Sequence, residues 1–472
     1  MFFDTPVYLC FLTLVVLLYW RFDRRGQNIL LLIASYFFYG WWDWRFLILI
    51  LISTVVDFFS ARYIANSSDV VRRRSLLTLS LALNFGFLGF FKYFNFFEDS
   101  LNASLARLGF LGFTPTVLRI LLPPGISFYT FQAVAYIVDV YREKLEPAQS
   151  LLDYGLFISF FPHLVAGPIQ RPSHLLPQVQ QPRRLDGDRF FDGLMLILTG
   201  LFRKCVVANS CAMLADAAFS GRMGPPNTGV VLVGTYAFAW QIYADFSGYS
   251  DIARGSAQLM GFHFMVNFWQ PYLAISLQDF WRRWHISLST WLRDYVYIPL
   301  GGNRHGEVKK YRNLAVTMLL GGLWHGANWT YVIWGGIHGL GLSIERLLGL
   351  ERSGRTGRPS WMSIWFRRIV IFHCVCLAWV FFRAQSFGEA VTFLQGLGRL
   401  QFGSQFAPAM AFLASYTIPL FALDLVLESR QEEYVFQRSA ALFRPLAAGL
   451  ALLVIVMAFT ANKGAAFIYF QF

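Results

Sequence analysis

Charge is scarce in this 472-residue chain: 14% of the residues are Asp, Glu, Lys or Arg, where a soluble domain carries roughly a quarter. That scarcity argues against a chain folded wholly in water. Cysteine is scarce as well. Cys10, Cys205, Cys211, Cys374 and Cys376 are odd in number and lie in or beside apolar runs, which speaks against a disulfide framework. Cys374-Val-Cys376 is not a zinc spacing, so no metal site is expected. There is no P-loop, no G-x-S-x-G elbow and no H-E-x-x-H, so any chemistry must rest on other groups. No internal repeat is evident, which weakens a transporter built from inverted halves. No A-x-A-like site follows the first apolar run at 7–20, and Arg21, Arg24 and Arg25 flank its C-terminal side. That run therefore reads as a retained span and not as a cleaved signal. No soluble domain stands out, and residues 1–472 read as one membrane domain.

What fills the chain instead is apolar: 56% of its residues are hydrophobic and 18% aromatic. Uncharged runs of about 20 residues recur from end to end, the mark of a polytopic all-α membrane protein. Candidate spans fall at about 7–20, 29–44, 46–61, 76–97, 118–140, 153–168, 190–216, 229–250, 313–348 (long enough for a bent pair), 364–383, 410–427 and 445–460. Short and Pro/Gly-broken stretches among them point to re-entrant or broken helices, so about 10–12 transmembrane or re-entrant helices are expected. The net charge is +13, but the cations cluster in loops, a pattern that suits the positive-inside rule better than nucleic-acid binding. Clusters at 21–25, 62–74, 142–144, 281–312, 346–368 and 430–444 are expected to be cytoplasmic, with both termini extracytoplasmic. Trp41-Trp42-Asp43-Trp44 reads as an interfacial belt against membrane lipids.

Against this background His325 is anomalous. It lies in a run from 313 to 343 without a single Asp, Glu, Lys or Arg. An ionisable side chain at bilayer depth is costly and marks a functional site by default, and histidine is well poised for proton transfer. A neutral histidine bonded across helices is the competing reading. The second informative stretch is 276–312, which carries seven Lys/Arg from Arg282 to Arg312 against Asp294 and Glu307. Trp and Arg on a helical period describe an amphipathic interfacial segment. The functional alternative is that Arg282, Arg283, Trp284 and Arg293 gather a phosphorylated ligand, with His285 directed inward beside His325. Asp245 and Asp251 end an apolar run and could orient a histidine, pair with an arginine or cap a break. With Asn328 they are candidate supporting residues. His163, in the broken segment 161–172, and His338 read as structural.

Four segments occur in order: Phe161-Pro162-His163-Leu164-Val165-Ala166-Gly167-Pro168, Asp245-Phe246-Ser247-Gly248-Tyr249-Ser250-Asp251, Phe280-Trp281-Arg282-Arg283-Trp284-His285-Ile286-Ser287, and Gly321-Gly322-Leu323-Trp324-His325-Gly326-Ala327-Asn328. Together they resemble the membrane-bound O-acyltransferase family, in particular its bacterial alginate O-acetylation branch. The resemblance implies a shell of helices around a central funnel, in a bacterial inner membrane. It places the family's near-invariant histidine on His325 and its second conserved polar position on His285. It further implies acetyl-coenzyme A as donor, O-acetylation of an exported polysaccharide such as alginate or cellulose, and two partners: an extracytoplasmic SGNH or esterase-type transferase and the export machinery. The chain ends Phe467-Ile468-Tyr469-Phe470-Gln471-Phe472. Similar endings recur in this branch and in a small protein of teichoic-acid D-alanylation. Residues 461–472 are therefore expected to be an extracytoplasmic tail, with Tyr469 either the acyl acceptor or an interfacial anchor. A transport protein conducting an acyl donor, and a lipid or protein acyltransferase of the same family, are the alternative functions.

Overall fold

The computed structural model describes residues 1–109, 120–304, 306–349, 360–434 and 437. The described residues form helices and turns and contain no strand. They pack as two compact units, the first made of described residues within 1–190 and 256–265, the second of described residues within 191–255 and from 266 onward.

The first unit is built from α1 (Pro6–Tyr19), α2 (Arg24–Asp43), α3 (Leu47–Ala65), α4 (Val70–Leu88), α5 (Phe94–Arg107), α6 (Ile126–Tyr141), α7 (Leu151–Ser159), α8 (Phe161–Leu164) and α9 (Pro172–Gln180). Local chemistry sets several starts. Thr5 caps α1 with proline next in line, and Asp23 caps α2 by accepting from the Gly26 amide, the residue types that satisfy orphan N–H groups best. Helices α3 and α4 are joined by polar groups. Asp57 accepts from Ser80 Oγ at 2.5 Å and from Asn84 Nδ2 at 3.0 Å, the kind of contact that holds helices together where water is absent. The expected span at 153–168 is broken. Helix α7 stops at Phe160, and the amide of Phe161 donates to Ser35 Oγ at 3.0 Å. A helix interruption in an apolar interior needs such a partner. Gly125, at a left-handed φ of 75°, sits so close to the Leu164 carbonyl that a Cβ would collide with it.

The second unit comprises most of α10 (Gly187–Leu201), α11 (Asn209–Phe219), most of α12 (Thr228–Leu259), α13 (Leu277–Arg283), α14 (Ile286–Leu292), α15 (Glu307–His325), α16 (Trp329–Leu347), α17 (Trp361–Arg383), α18 (Phe387–Gln395) and α19 (Phe406–Arg430). Between α10 and α11 the backbone widens into a π-helical turn over Phe202–Ala208. That turn carries Arg203 and Lys204 in the interior. Arg203 pairs with Asp251 at 2.8 Å and with Asp424 at 3.4 Å, and Lys204 pairs with Asp245 at 2.6 Å. Removing one member of a buried pair strands a charge, which costs far more than the pair contributes. The stretch 313–348 is the bent pair its length suggested, α15 and α16 joined through 326–328.

Four helical stretches among the described residues are long and apolar enough to cross a membrane: Arg24–Ala65, Val70–Arg107, Trp361–Arg383 and Phe406–Arg430. The remaining expected spans are short, interrupted or carry ionised groups, as α7–α8 and α10–α11 illustrate; 445–460 falls outside the described residues.

The α15–α16 hairpin packs backbone close against backbone. A Cβ on Gly322 would collide with the Tyr331 carbonyl oxygen, and one on Gly335 with that of Met318. Small residues here let two backbones approach. Gly322→Ala is expected to destabilise the fold by about 1–3 kcal/mol through overpacking, read as a lower thermal unfolding midpoint in detergent. An unchanged midpoint would mean that the two helices separate without cost.

Candidate functional site

Segment 276–292 does not form one amphipathic helix. It folds as α13 and α14 with a sharp break at His285, whose backbone is left-handed (φ 43°, ψ 53°). A non-glycine residue in that region costs on the order of 1–3 kcal/mol and persists only when its surroundings impose it. The break turns Phe280, Trp284, His285, Ser287, Leu288 and Trp291 inward. On the far side, α15 ends at His325, and α16 restarts under a cap from Asn328, which accepts from the Thr330 amide at 3.0 Å. Gly326 is required at that joint because a Cβ would run into the Tyr331 ring. Glu345 of α16 accepts from the amides of Leu277 and Gln278 at 2.9 and 3.0 Å, tying the start of α13 to the hairpin.

These joints bring the two histidines together. The rings of His285 and His325 lie 6.2 Å apart, centre to centre. Both are buried, at 0% and 3% exposure. His285 meets the Phe246 ring edge-on at 4.6 Å, and Trp324 packs against both imidazoles. His325 is walled by Trp334 at 5.1 Å and Phe382 at 5.3 Å, with Trp379 stacked on Trp334. His325 also lines a cavity of about 400 Å³, together with Trp281, Arg282, Arg293, Tyr297, Trp334 and Arg346 among others. That volume falls in the range of small-molecule sites, and the mix of apolar wall with a few charged groups is their usual composition. The arrangement offers two proton-transfer groups out of bulk water and a cationic lining able to hold an anion.

The other candidates divide. Arg282 and Arg293 belong to the cavity. Arg283 does not line it: its guanidinium bonds Asp279 at 2.8 Å and Glu428 at 2.8 Å. Trp284 is buried and stacked on Phe280, a packing position. Asp245 and Asp251 pair with Lys204 and Arg203 and serve to hold α12. Asn328 caps α16 and donates to the Gln385 carbonyl at 3.0 Å. His338 is packed among Phe280, Trp281 and Trp334, and His163 bonds Gln132 at 3.0 Å. Tyr469 and the whole 461–472 tail lie outside the described residues. A residue that sequence reasoning passed over is Asn267, whose side chain contacts His285 Nδ1 at 3.1 Å. Its one sequence signal is an amide set between apolar residues shortly before Pro271. No group of three His, Cys, Asp or Glu among the described residues is arranged to hold a metal ion.

The model of MBOAT, the membrane-bound O-acyltransferase family, matches residues 147–382, which contain both histidines and the cavity. The chain is 45% identical over 394 residues to a probable alginate O-acetylase of Azotobacter vinelandii, covering 83% of this chain and 76% of that protein. It is 36% identical over 428 residues to a peptidoglycan O-acetyltransferase of Helicobacter pylori, covering 84% and 79%. A teichoic acid D-alanyltransferase of Bacillus subtilis is 27% identical over 277 residues, covering 56% and 69%. With its apolar helices, its paired buried histidines and this similarity along most of its length, the chain belongs to the membrane-bound O-acyltransferase family and is a multi-pass membrane acyltransferase.

Proposed function

We propose that this acyltransferase passes acetyl groups from cytoplasmic acetyl-coenzyme A across a bacterial inner membrane for the O-acetylation of an exported polysaccharide. An esterase-type transferase outside the membrane places the acetyl on the polymer. The observation that carries the reading is the burial of two imidazoles side by side, one of them lining a cavity edged by Arg282 and Arg293. Relatives at 36–45% identity are named for O-acetylation of alginate and of peptidoglycan, which supports an acetyl donor and a polymer outside.

The chemistry is a single acyl transfer. An acceptor hydroxyl attacks the thioester carbonyl carbon while His325 takes the hydroxyl proton. A C–O bond forms, the C–S bond breaks, and the proton passes to the departing thiolate, leaving an acetate ester and coenzyme A. General-base assistance of this kind is worth about 10²–10⁴-fold. The Trp and Phe rings around the imidazoles keep out water that would otherwise hydrolyse the thioester. The guanidinium groups of Arg282 and Arg293 suit the donor's phosphates, because charge-assisted bonds to phosphate are the strong ones. The acceptor in this reading is the phenol of Tyr469. With an ordinary acidity near 10, a phenol is a better leaving group than a sugar hydroxyl, so its acetate ester is suited to onward transfer.

His325→Ala is expected to lower acetyl transfer from acetyl-coenzyme A by at least about 10²-fold in purified, folded protein; wild-type rates would remove His325 from the chemistry. Arg282→Glu should raise the KM for acetyl-coenzyme A by about 10-fold or more, the loss of one charge-assisted contact, with a smaller change in kcat. An unchanged KM would place the donor phosphates elsewhere. Mass spectrometry of wild-type protein incubated with acetyl-coenzyme A should find an acetylated C-terminal peptide that Tyr469→Phe lacks. If the wild-type peptide stays unmodified while polymer is acetylated, Tyr469 is an anchor and not the acceptor.

A further inference from the structure

Asn267 lies between α12 and α13, 1% exposed, where its single side-chain oxygen meets three groups. Oδ1 contacts His285 Nδ1 at 3.1 Å, the Ser287 amide nitrogen at 3.3 Å and Ser287 Oγ at 2.9 Å. Nδ2 of the same amide donates to Ser250 Oγ at 3.2 Å. The Asn267 backbone is engaged as well, its carbonyl accepting from the Ile286 amide at 3.0 Å. One residue thus brackets the left-handed joint at His285 from both its side chain and its main chain.

The orientation of an asparagine amide has to follow from its partners. Here a partner decides it. The Ser287 amide can only donate, so the atom facing it must be the oxygen, and the opposite end of the amide is left to donate to Ser250. An oxygen at that position can only accept. His285 Nδ1 must therefore carry a hydrogen, and in the neutral imidazole Nε2 is then the basic nitrogen.

We infer that Asn267 is a positioning residue that fixes His285 in the Nδ1–H tautomer and leaves Nε2 as its proton-accepting nitrogen. The inference rests on the catalytic reading of the His285–His325 pair. It also sharpens that reading: neutral His285 cannot polarise a thioester carbonyl by donating from Nε2, and takes part as a hydrogen-bond acceptor or proton acceptor. Among the described residues, a titratable ring beside it is that of His325, 6.2 Å away centre to centre. The carboxylates that α12 carries, Asp245 and Asp251, are paired with Lys204 and Arg203.

The test is ¹⁵N NMR of histidine-labelled full-length protein in detergent, at about pH 8, where an ordinary imidazole is neutral. The His285 signals are identified by their loss in His285→Gln. The expected result is a protonated, pyrrole-like Nδ1 and an unprotonated, pyridine-like Nε2; the reverse pattern overturns the inference. Two variants separate positioning from mere support of the fold. Asn267→Asp keeps the accepting oxygen, so it should retain the tautomer and rescue much of the activity. Its negative charge favours the imidazolium, which should move the acid limb of the pH–rate profile to higher pH. Asn267→Leu should lose the tautomer preference and between about 10- and 10⁴-fold in kcat. A purely structural Asn267 predicts instead an unmoved acid limb in Asn267→Asp, and that outcome counts against the inference. The two levels fail separately: a pyrrole-like Nδ1 in a protein with no acetyl transfer rejects the enzymatic reading alone, whereas active protein with a pyrrole-like Nε2 rejects the role of Asn267 alone.

Discussion

Helix breaks in an apolar interior must find partners for the backbone groups they release, and the site exists because two such breaks are satisfied side by side. Without water, an exposed amide or carbonyl costs several kcal/mol. The break at His285 is met by Asn267, which takes the Ser287 amide on its side chain and the Ile286 amide on its backbone. The break after His325 is met by Asn328, which caps the next helix. Both histidines stand at helix ends, where a short change of direction carries a side chain inward. The same rule operates in the first unit, where Ser35 receives the freed amide of Phe161. Polar residues that look misplaced in an apolar sequence are the ones that make irregular backbone tolerable.

A second layer holds these breaks in place. Glu345 fastens the start of α13 to α16 through two amides, and Arg283 reaches Asp279 and Glu428. Deeper in the same unit, Arg203, Lys204, Asp245, Asp251 and Asp424 tie α12 to the π-helical turn and to α19. Tyr243 adds its hydroxyl to Asp424 at 2.8 Å. Buried ion pairs contribute little net stability compared with apolar packing, but each fixes which partner a helix takes. Around the imidazoles the packing is aromatic: Trp324 lies against both histidines, and Trp334, Trp379 and Phe382 are in mutual contact. Three indoles with one donor each and a phenyl ring can wall a site without the conformational freedom of long aliphatic chains.

Much of this was legible in the linear chain. The uncharged run at 313–343 isolates His325, and the stretch 313–348 is long enough for the bent pair that α15 and α16 form. His285 stands out by its place between Trp284 and Ile286 in the F-W-R-R-W-H motif. Less was legible in the arginines. Arg282 and Arg283 are adjacent and identical in type, yet one lines the cavity while the other is committed to Asp279 and Glu428. Adjacent residues on a helix point about 100° apart, and only the packing of α13 decides which of them faces inward. Trp284 was expected with the ligand-binding group and is a packing residue against Phe280, because the turn at His285 rotates it into the core.

Composition, the spacing of charges and one isolated histidine determined by themselves that the chain is a helical membrane protein with an ionisable side chain inside an uncharged run, because the cost of polarity in lipid does not depend on the fold. Which polar residues meet was decided by tertiary structure alone. His285 and His325 are 40 positions apart in sequence, and their pairing requires a left-handed joint that no helical periodicity announces. Asn267, 18 positions before His285, has no mark in the sequence beyond an amide among apolar residues, and nothing there links it to His285. Its importance comes from geometry: one oxygen placed where an obligate donor fixes its identity, and through it the proton on the neighbouring ring.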